Sequence, residues 1–341
     1  MARTPQPMRL TALSMAFAAT LVACGGGSSP TPPTVQIISS ANGIAVGPVS
    51  FLFIFNDDVG SSFTASDVIV SNGSAGLFSK LDPTRYTLVI TPPFNASGTF
   101  GLVLPGSSYT SVQGINGVTT ASASQVFDTA PPTLLFSSSV GGIATGHVTF
   151  SFNFSEDVGN SLTASDVLVS FSGVLGQVQA LTRVSATLAT LVVAPPAGSV
   201  GRISLRVPAA AFNDLAGNTN PAEVTATQDF DTLAPTLTIS SSAAGRVATG
   251  PFTLSFHFSE DVGTSFTSQD VILDFSNGSG GIRGTLTRIS ATQVNLLVTP
   301  PIGAAGTVNL SIAVAAFSDL AGNTNALSYF GVQQYDTRPP N

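Results

Sequence analysis

The residues in this sequence with the chemistry of a binding site are its carboxylates. Fourteen of the eighteen acidic residues fall at positions that recur along the chain, whereas a merely solvated surface would scatter them. Ca²⁺ takes six to eight oxygen ligands, largely from carboxylates and carbonyls, so metal binding is one interpretation of this pattern. The recurring sets are Asp57, Glu156 and Glu260; Asp58, Asp157 and Asp261; Asp67, Asp166 and Asp270; Asp128, Asp231 and Asp336; and Asp214 with Asp319.

Each set also has an interpretation that needs no ligand. Thr163 and Asp166 have the spacing of a capping box on a single helical turn. The stretch from Asp214 to Asn218 could be a plain turn in which Gly217 supplies a positive φ, and Asp128 could form an Asx turn. A glycosidase pair made of neighbouring acids is disfavoured, because successive side chains at a strand end point apart.

The acids recur because the chain repeats one unit three times. The stretch from Phe154 to Gly159 returns as Phe258 to Gly263, and in a looser form as Phe55 to Gly60. A period of about 100 residues is that of a whole domain rather than a solenoid turn. The sequence therefore predicts three domains, the first of them degenerate in its second half, over residues 34–128, 131–231 and 235–336.

Within the second repeat, Val148, Phe150, Phe152 and Phe154 alternate with polar residues. This period of two places four apolar side chains on one face of a strand. Seven short strands in about 100 residues, separated by Gly, Pro, Asn and Ser turns, predict an all-β fold of immunoglobulin-like antiparallel sandwiches. The other strands of this repeat are predicted near residues 133–138, 167–171, 177–182, 187–193, 202–207 and 223–230.

The N-terminus has the pattern of an export signal. Arg3 and Arg9 precede a mostly apolar run over residues 10–22, which is too short to span a bilayer and is typical of a signal peptide over residues 1–23. The run ends in Leu-Val-Ala before Cys24, which resembles the lipobox of bacterial lipoproteins. An ordinary secretory signal with a chance cysteine is the alternative.

The lipobox resemblance implies cleavage before Cys24 and a lipid on its thiol, hence anchoring to a membrane surface. Gly25 follows the cysteine, which resembles the outer-membrane class of lipoproteins. Residues 24–33 are then a Gly/Ser/Pro tether. The expected location is the bacterial outer membrane or cell surface.

Successive motifs make a family resemblance specific. Asp-Thr-x-Ala-Pro-Thr, Gly-x-x-Thr-x-x-Phe-x-Phe-Ser-Glu, Thr-Ala-Ser-Asp-Val and Asp-Leu-Ala-Gly-Asn resemble the bacterial Ig-like (Big) domains of surface proteins. The resemblance covers residues 34–338. It implies a non-enzymatic surface protein that acts in adhesion or as a spacer, with a surface protein or glycan as partner. The alternatives are a glycan-binding module or an accessory domain of a surface enzyme system.

Composition excludes several functions. The formal net charge is −7, and the eleven Lys and Arg residues are scattered singly, so nucleic acid is not expected as a partner. His147 and His257 occupy positions that the other repeats do not share, and no nucleophile elbow, phosphate loop or His-Glu-x-x-His motif occurs. The chain has no Trp and four Tyr, which argues against aromatic platforms for glycans.

Strand direction predicts where the acids gather. In an antiparallel module of seven strands, the second and sixth strands both end at the pole where the linker enters. We therefore expect Ca²⁺ at the junctions between repeats 1 and 2 and between repeats 2 and 3. Repeat 1 lacks both an incoming Asp and an Asp-Leu-Ala-Gly-Asn stretch, so no site is expected before it. The expected ligands are Asp128, Glu156, Asp157, Asp214 and Asn218, and Asp231, Glu260, Asp261, Asp319 and Asn323.

Overall fold

The computed structural model describes residues 31–173, 175–277 and 280–340. Over these residues the chain forms twenty-two β-strands in antiparallel sheets and four single-turn 3₁₀ helices. The predicted all-β, immunoglobulin-like class is therefore confirmed. Among the described residues, no helix has the length and apolar character needed to cross a membrane. The predicted signal peptide and Cys24 lie outside the described residues.

The first seven strands form two sheets, which we call sandwich 1. Their order is β1-β2-β5-β4 in one sheet and β3-β6-β7 in the other, the four-plus-three arrangement of constant-type immunoglobulin domains. The strands are β1 Val35–Ser39, β2 Val49–Phe55, β3 Ile69–Ser71, β4 Ser74–Lys80, β5 Arg85–Thr91, β6 Ser97–Leu104 and β7 Ala121–Asp128.

Sandwich 2 repeats this topology with one strand divided. The strand predicted near residues 177–182 is two short strands, β11 and β12, which both pair with β13. The orders are β11-β13-β9-β8 and β10-β14-β15. The strands are β8 Leu134–Ser138, β9 Val148–Phe154, β10 Leu168–Phe171, β11 Gln177–Val178, β12 Thr182–Ser185, β13 Leu188–Ala194, β14 Val200–Val207 and β15 Val224–Asp231.

Sandwich 3 has the same two sheets with the corresponding strand undivided. Their orders are β16-β17-β20-β19 and β18-β21-β22. Chain contacts place sandwiches 2 and 3 in one compact unit and most of sandwich 1 in another. The strands are β16 Leu237–Ser241, β17 Phe252–Phe258, β18 Ile272–Phe275, β19 Ile282–Ser290, β20 Gln293–Thr299, β21 Ala305–Ile312 and β22 Tyr329–Asp336.

The core of each sandwich is built on its second strand. In β9, Val148, Phe150, Phe152 and Phe154 are at most 6% exposed, which confirms the predicted stripe. The strand lies between β8 and β13, so the stripe runs through the middle of its sheet. The ring of Phe154 packs edge-on against Phe212, 5.2 Å away. In β2 and β17 the equivalent stripes are also buried.

Single 3₁₀ turns follow the second strand of each sandwich and confirm the capping-box interpretation. In sandwich 2 the backbone N–H of Thr163 donates to Asp166 Oδ2 at 2.8 Å, and the Thr163 hydroxyl donates to the same oxygen at 2.6 Å. The same reciprocal capping occurs with Asp67 and Asp270. These three carboxylates therefore have a structural role. The four 3₁₀ helices are Ala65–Asp67, Gly106–Ser108, Ala164–Asp166 and Ser268–Asp270.

We predict that Phe152→Ala and Phe256→Ala each destabilise their own sandwich by about 3–5 kcal/mol, because removing a buried ring leaves a cavity. Denaturation of the full chain, followed by hydrogen exchange of individual strands, measures the effect and its location. Phe94→Ala is the matched control, since that ring is 91% exposed and its loss should change stability by under about 0.5 kcal/mol. Equal effects of all three variants would contradict the prediction.

Candidate metal centres

Two groups of three carboxylates form beside the ends of β9 and β17. In each group, one oxygen from every residue lies within 4.8 Å of the others. Asp214 and Asp319 are buried, and the other four are half-buried. All six residues belong to the second compact unit. We call these groups the first acidic cluster, Asp128, Glu156 and Asp214, and the second acidic cluster, Asp231, Glu260 and Asp319.

Strand ends place the members of each cluster. Asp128 is the last residue of β7, and Glu156 follows the end of β9 by two residues. Asp214 lies in the connection between β14 and β15, next to Phe212, whose ring contacts the end of the β9 stripe. The buried stripe therefore fixes both the start of the Glu156 segment and the loop that carries Asp214. The gathering expected from strand direction is thus observed for these residues.

The Asp214 carboxylate organises its own loop. Its Oδ1 accepts the backbone N–H groups of Gly217 at 2.6 Å and Asn218 at 2.9 Å, and its Oδ2 accepts Asn218 Nδ2 at 2.8 Å. Gly217 has φ of 102°, so the interpretation as a turn with a positive-φ glycine is confirmed. Asp319 makes the same three bonds at 2.6, 2.9 and 2.8 Å.

Asn218 and Asn323 touch the clusters through their amide nitrogens. Asn218 Nδ2 donates to the backbone oxygen of Asp128 at 3.0 Å as well as to Asp214. Asn323 Nδ2 donates to the backbone oxygen of Asp231 at 3.1 Å. Each asparagine therefore links the loop of its cluster to the end of a strand that is distant in sequence, β7 for Asn218 and β15 for Asn323.

Asp128 and Asp231 form the Asx turns that the sequence allows. Asp128 Oδ1 accepts the N–H of Ala130 at 3.0 Å, and Asp231 Oδ1 accepts the N–H of Leu233 at 2.9 Å. These turns direct the chain out of β7 and β15. The structural interpretation of these acids is therefore confirmed, and it coexists with their membership of a cluster.

Asp157 and Asp261, also expected as ligands, lie outside the clusters. Asp157 Oδ1 pairs with the Arg183 guanidinium at 3.1 Å, and Asp261 Oδ1 pairs with Arg288 at 2.6 Å. The same oxygens accept the backbone N–H of the glycine two residues later, at 2.8 and 2.9 Å. An arginine from a neighbouring strand thus balances these two charges. Each arginine is distant in sequence from its aspartate, so local sequence patterns did not indicate the pairing.

In each cluster, the pKa of the glutamate is raised. Burial raises the pKa of Glu156, and the charges of Asp128 and Asp214 raise that pKa further. Burial likewise raises the pKa of Glu260, with Asp319 and Asp231 adding to the effect. Among the described residues, Glu260 Oε1 is buried without a hydrogen-bond partner, which leaves a polar atom unsatisfied.

Sandwich 1 keeps the loop but not the charge. Ser111 occupies the place of Asp214: its N–H donates to the Ile115 oxygen at 2.8 Å, and its hydroxyl accepts the N–H of Ile115 at 3.3 Å. The bridge between Thr110 and Asn116 matches that between residues 213 and 219. Repeat 1 lacks the Asp-Leu-Ala-Gly-Asn stretch, but the buried Ser111 retains the shape of the loop. Within the described part of sandwich 1, no group of three acids forms.

We predict that cation-free protein loses stability as pH rises above about 4.3, the ordinary pKa of glutamate. Because the folded-state pKa of Glu156 and Glu260 is raised, the folded state binds these protons more tightly than the unfolded chain. The stabilising effect of protonation is present below the unfolded pKa and disappears as pH passes through the folded pKa. Urea unfolding of the full chain in the presence of a chelator, measured at several pH values between about 4 and about 8, gives this slope.

The variant Glu156→Gln combined with Glu260→Gln should flatten that slope and increase stability at neutral pH, because it removes one charge from each cluster. Glu223→Gln is the control, since Glu223 pairs with Arg206 at 3.2 Å and belongs to neither cluster. An unchanged slope in the double variant would show that the glutamates do not carry the effect.

The chain is similar in sequence to a known family of domains. The family model described as a bacterial Ig-like domain matches residues 29–126 and 231–334. No curated protein matches the chain. Among solved structures, the Escherichia coli adhesin FdeC is similar, at 13% identity over 88% of this chain and 96% of the other, with a TM-score of 0.42.

Two further similar structures are a three-domain fragment of titin and invasin, a bacterial integrin-binding protein. The titin fragment has 10% identity over 90% of this chain and 99% of the other, with a TM-score of 0.39. Invasin has 13% identity over 88% and 59%, with a TM-score of 0.33. The family match covers more than half of the chain, and the described strands form the sheets that such domains contain. The protein therefore belongs to the bacterial Ig-like domain family.

Proposed function

We propose that this protein is a non-enzymatic cell-surface lipoprotein whose tandem Ig-like domains act in adhesion or as a surface spacer. The observation that supports this function is the threefold repetition of one sandwich, with the same buried stripe and the same capped turn. Most recurring acids serve turns, caps and ion pairs, which are structural tasks. The domains we propose are residues 34–128, 131–231 and 235–336.

The proposed attachment is a lipid on Cys24. The lipobox-like residues before it, and its being the one cysteine of the chain, support this site. A lipid chain holds a protein at a membrane surface without a spanning helix. Residues 24–33 would then be a tether between the anchor and the first sandwich, at the outer membrane or cell surface.

We predict that mass spectrometry of the mature protein finds a diacylated N-terminal Cys24, and that Cys24→Ser protein leaves the membrane fraction. A deletion strain should adhere less to host or abiotic surfaces, and wild-type protein, but not Cys24→Ser, should restore adhesion. A mature chain that starts elsewhere, or an unmodified Cys24, contradicts the anchor. Normal adhesion by the deletion strain contradicts an adhesive role and leaves that of a spacer.

We also propose Ca²⁺ as the ligand of the two acidic clusters. Three carboxylates meet in each cluster, while the nearby arginines Arg183 and Arg288 pair with Asp157 and Asp261 instead. The buried Glu260 Oε1 without a partner favours this proposal, because a cation would satisfy it. Oxygen-rich sites of this kind suit Ca²⁺.

A bound divalent cation would also counteract the raised pKa of the glutamates. The pKa of Glu156 and of Glu260 is raised by burial and by two like charges each. A cation among the carboxylates favours their charged form and so lowers the pKa. Calcium would therefore stabilise sandwiches 2 and 3 at neutral pH, where cation-free carboxylates repel one another.

Calorimetric titration of the full chain with CaCl₂ should find two sites, with dissociation constants of about 10⁻⁴–10⁻³ M, the range of extracellular modules. Glu156→Gln should remove the site of the first acidic cluster, and Glu260→Gln that of the second. Asp57→Asn is the matched control, because Asp57 takes the position of Glu156 in sandwich 1, where no cluster forms among the described residues.

Absence of binding up to about 10 mM, ten times the weakest expected constant, contradicts the calcium proposal. So does an unchanged number of sites in both glutamine variants, or the loss of a site in Asp57→Asn. None of these outcomes bears on the lipid anchor or on adhesion.

A further inference from the structure

Sandwich 3 has one continuous groove at an edge where sandwich 2 has two separate pockets. The groove has a volume of about 700 Å³ and lies between the edge strands β16 and β22. Leu254 and Leu310 are among the apolar residues that line it, together with Phe330 and Val332 of β22. The matching edge of sandwich 2, between β8 and β15, is divided into two pockets of about 410 and 420 Å³.

Two positions near this edge carry smaller side chains in sandwich 3 than in sandwich 2. Gly331 of β22 stands where β15 has Ala226. Val140 packs against the core of sandwich 2, and Ala243 takes its position in sandwich 3. Both residues follow a serine whose hydroxyl accepts their backbone N–H, at 3.2 Å in each case. Methyl groups that occupy the edge of sandwich 2 are therefore missing from sandwich 3.

The backbone of β22 is open along part of this edge. One side of the strand pairs with β21. On the other side, Ala248 donates to the Gln334 oxygen and accepts the N–H of Asp336, both at 2.9 Å. Since backbone groups alternate between the two sides of a strand, Phe330 and Val332 also point theirs to this side. Among the described residues, no hydrogen bond reaches them there.

The open segment is also apolar on its outer face. Phe330 is 76% exposed and Val332 is 70% exposed. In sandwich 2 the corresponding positions of β15 are Thr225 and Thr227. Proteins usually protect such edges with charge, proline or a covering segment. The edge of β22 instead combines free backbone groups with exposed apolar side chains.

A positively charged side chain lines the groove. Arg246 lines it, and its backbone oxygen accepts Gln333 Nε2 at 2.7 Å, which holds this segment beside β22. Within the part of the chain that the structure describes, its guanidinium forms no ion pair, in contrast to Arg183, Arg202 and Arg288. A carboxylate on an incoming molecule would therefore find an uncommitted partner.

We propose that this groove binds an extended peptide segment of another protein, which adds as a strand to the free edge of β22. Strand addition uses main-chain hydrogen bonds for affinity and pockets for alternate side chains for specificity. The ligand would carry apolar residues at alternate positions and a carboxylate that pairs with Arg246. A second copy of β22 fits less well, because its Gly331 would face the groove with no side chain to fill it. This inference does not rest on the lipid anchor or on calcium.

Selection of a random peptide library displayed on phage, with the full chain as bait, supplies the probe. Enriched sequences should alternate apolar and polar residues and contain an acidic residue, and a synthetic peptide of that sequence should bind in fluorescence anisotropy. Val332→Pro removes the outward N–H and leaves the bonds to β21, so it should weaken binding about tenfold. Thr227→Pro is the matched control at the same position of β15 and should have no effect.

Two further variants test the groove itself. Arg246→Gln should weaken the acidic peptide severalfold and reduce the dependence of its affinity on salt. Gly331→Ala gives the strand the residue that sandwich 2 has; the added methyl would lie 3.4 Å from Leu310 Cδ2, an ordinary contact. The fold should therefore persist, as hydrogen exchange of β21 would verify, while the peptide binds more weakly.

Several results would overturn the proposal. They are a selection that enriches no peptide, enriched peptides without the alternating pattern, and equal binding to Val332→Pro and Thr227→Pro. A wild-type dimer in sedimentation that Val332→Pro abolishes would assign the edge to a second copy of the chain and also overturn it.

Discussion

Each sandwich depends on the burial of one stripe of alternating apolar side chains on its second strand. The stripe lies on an inner strand of its sheet, so it contributes to contacts with strands on both sides and with the opposite sheet. Phe-rich stripes provide this burial without tryptophan, which the chain lacks. Where the stripe ends, at Phe154 and Phe258, the chain turns directly into the segments that carry Glu156 and Glu260. Core packing therefore determines the position of the acids.

The acids combine two tasks that are often separate. Asp128 and Asp214 orient turns through their own carboxylates, and the turns bring these carboxylates to Glu156. Local hydrogen bonds thus offset part of the repulsion between like charges, while the glutamate remains the least satisfied member. The comparison with Ser111 shows that the loop does not require charge to keep its shape.

Much of the fold could be predicted from sequence because alternation and turn residues are local signals. The stripes, the capping turns and the gathering of Asp128, Glu156 and Asp214 follow from period, spacing and strand direction. The division between β11 and β12, the pairing of Asp157 with Arg183 and the groove beside β22 do not. The last two depend on how side chains from distant segments meet: an arginine from another strand, and the volumes of Gly331 and Ala243.

The cores have a consequence for how the protein folds. Its single cysteine is Cys24, so the sheets are held by packed rings and backbone hydrogen bonds, with no disulfide within the chain. Small exported domains often rely on such bonds, which form in oxidising compartments. The sheets of this protein can form without a thiol oxidant or a disulfide isomerase. Its folding is therefore independent of the redox state of the compartment in which it takes place.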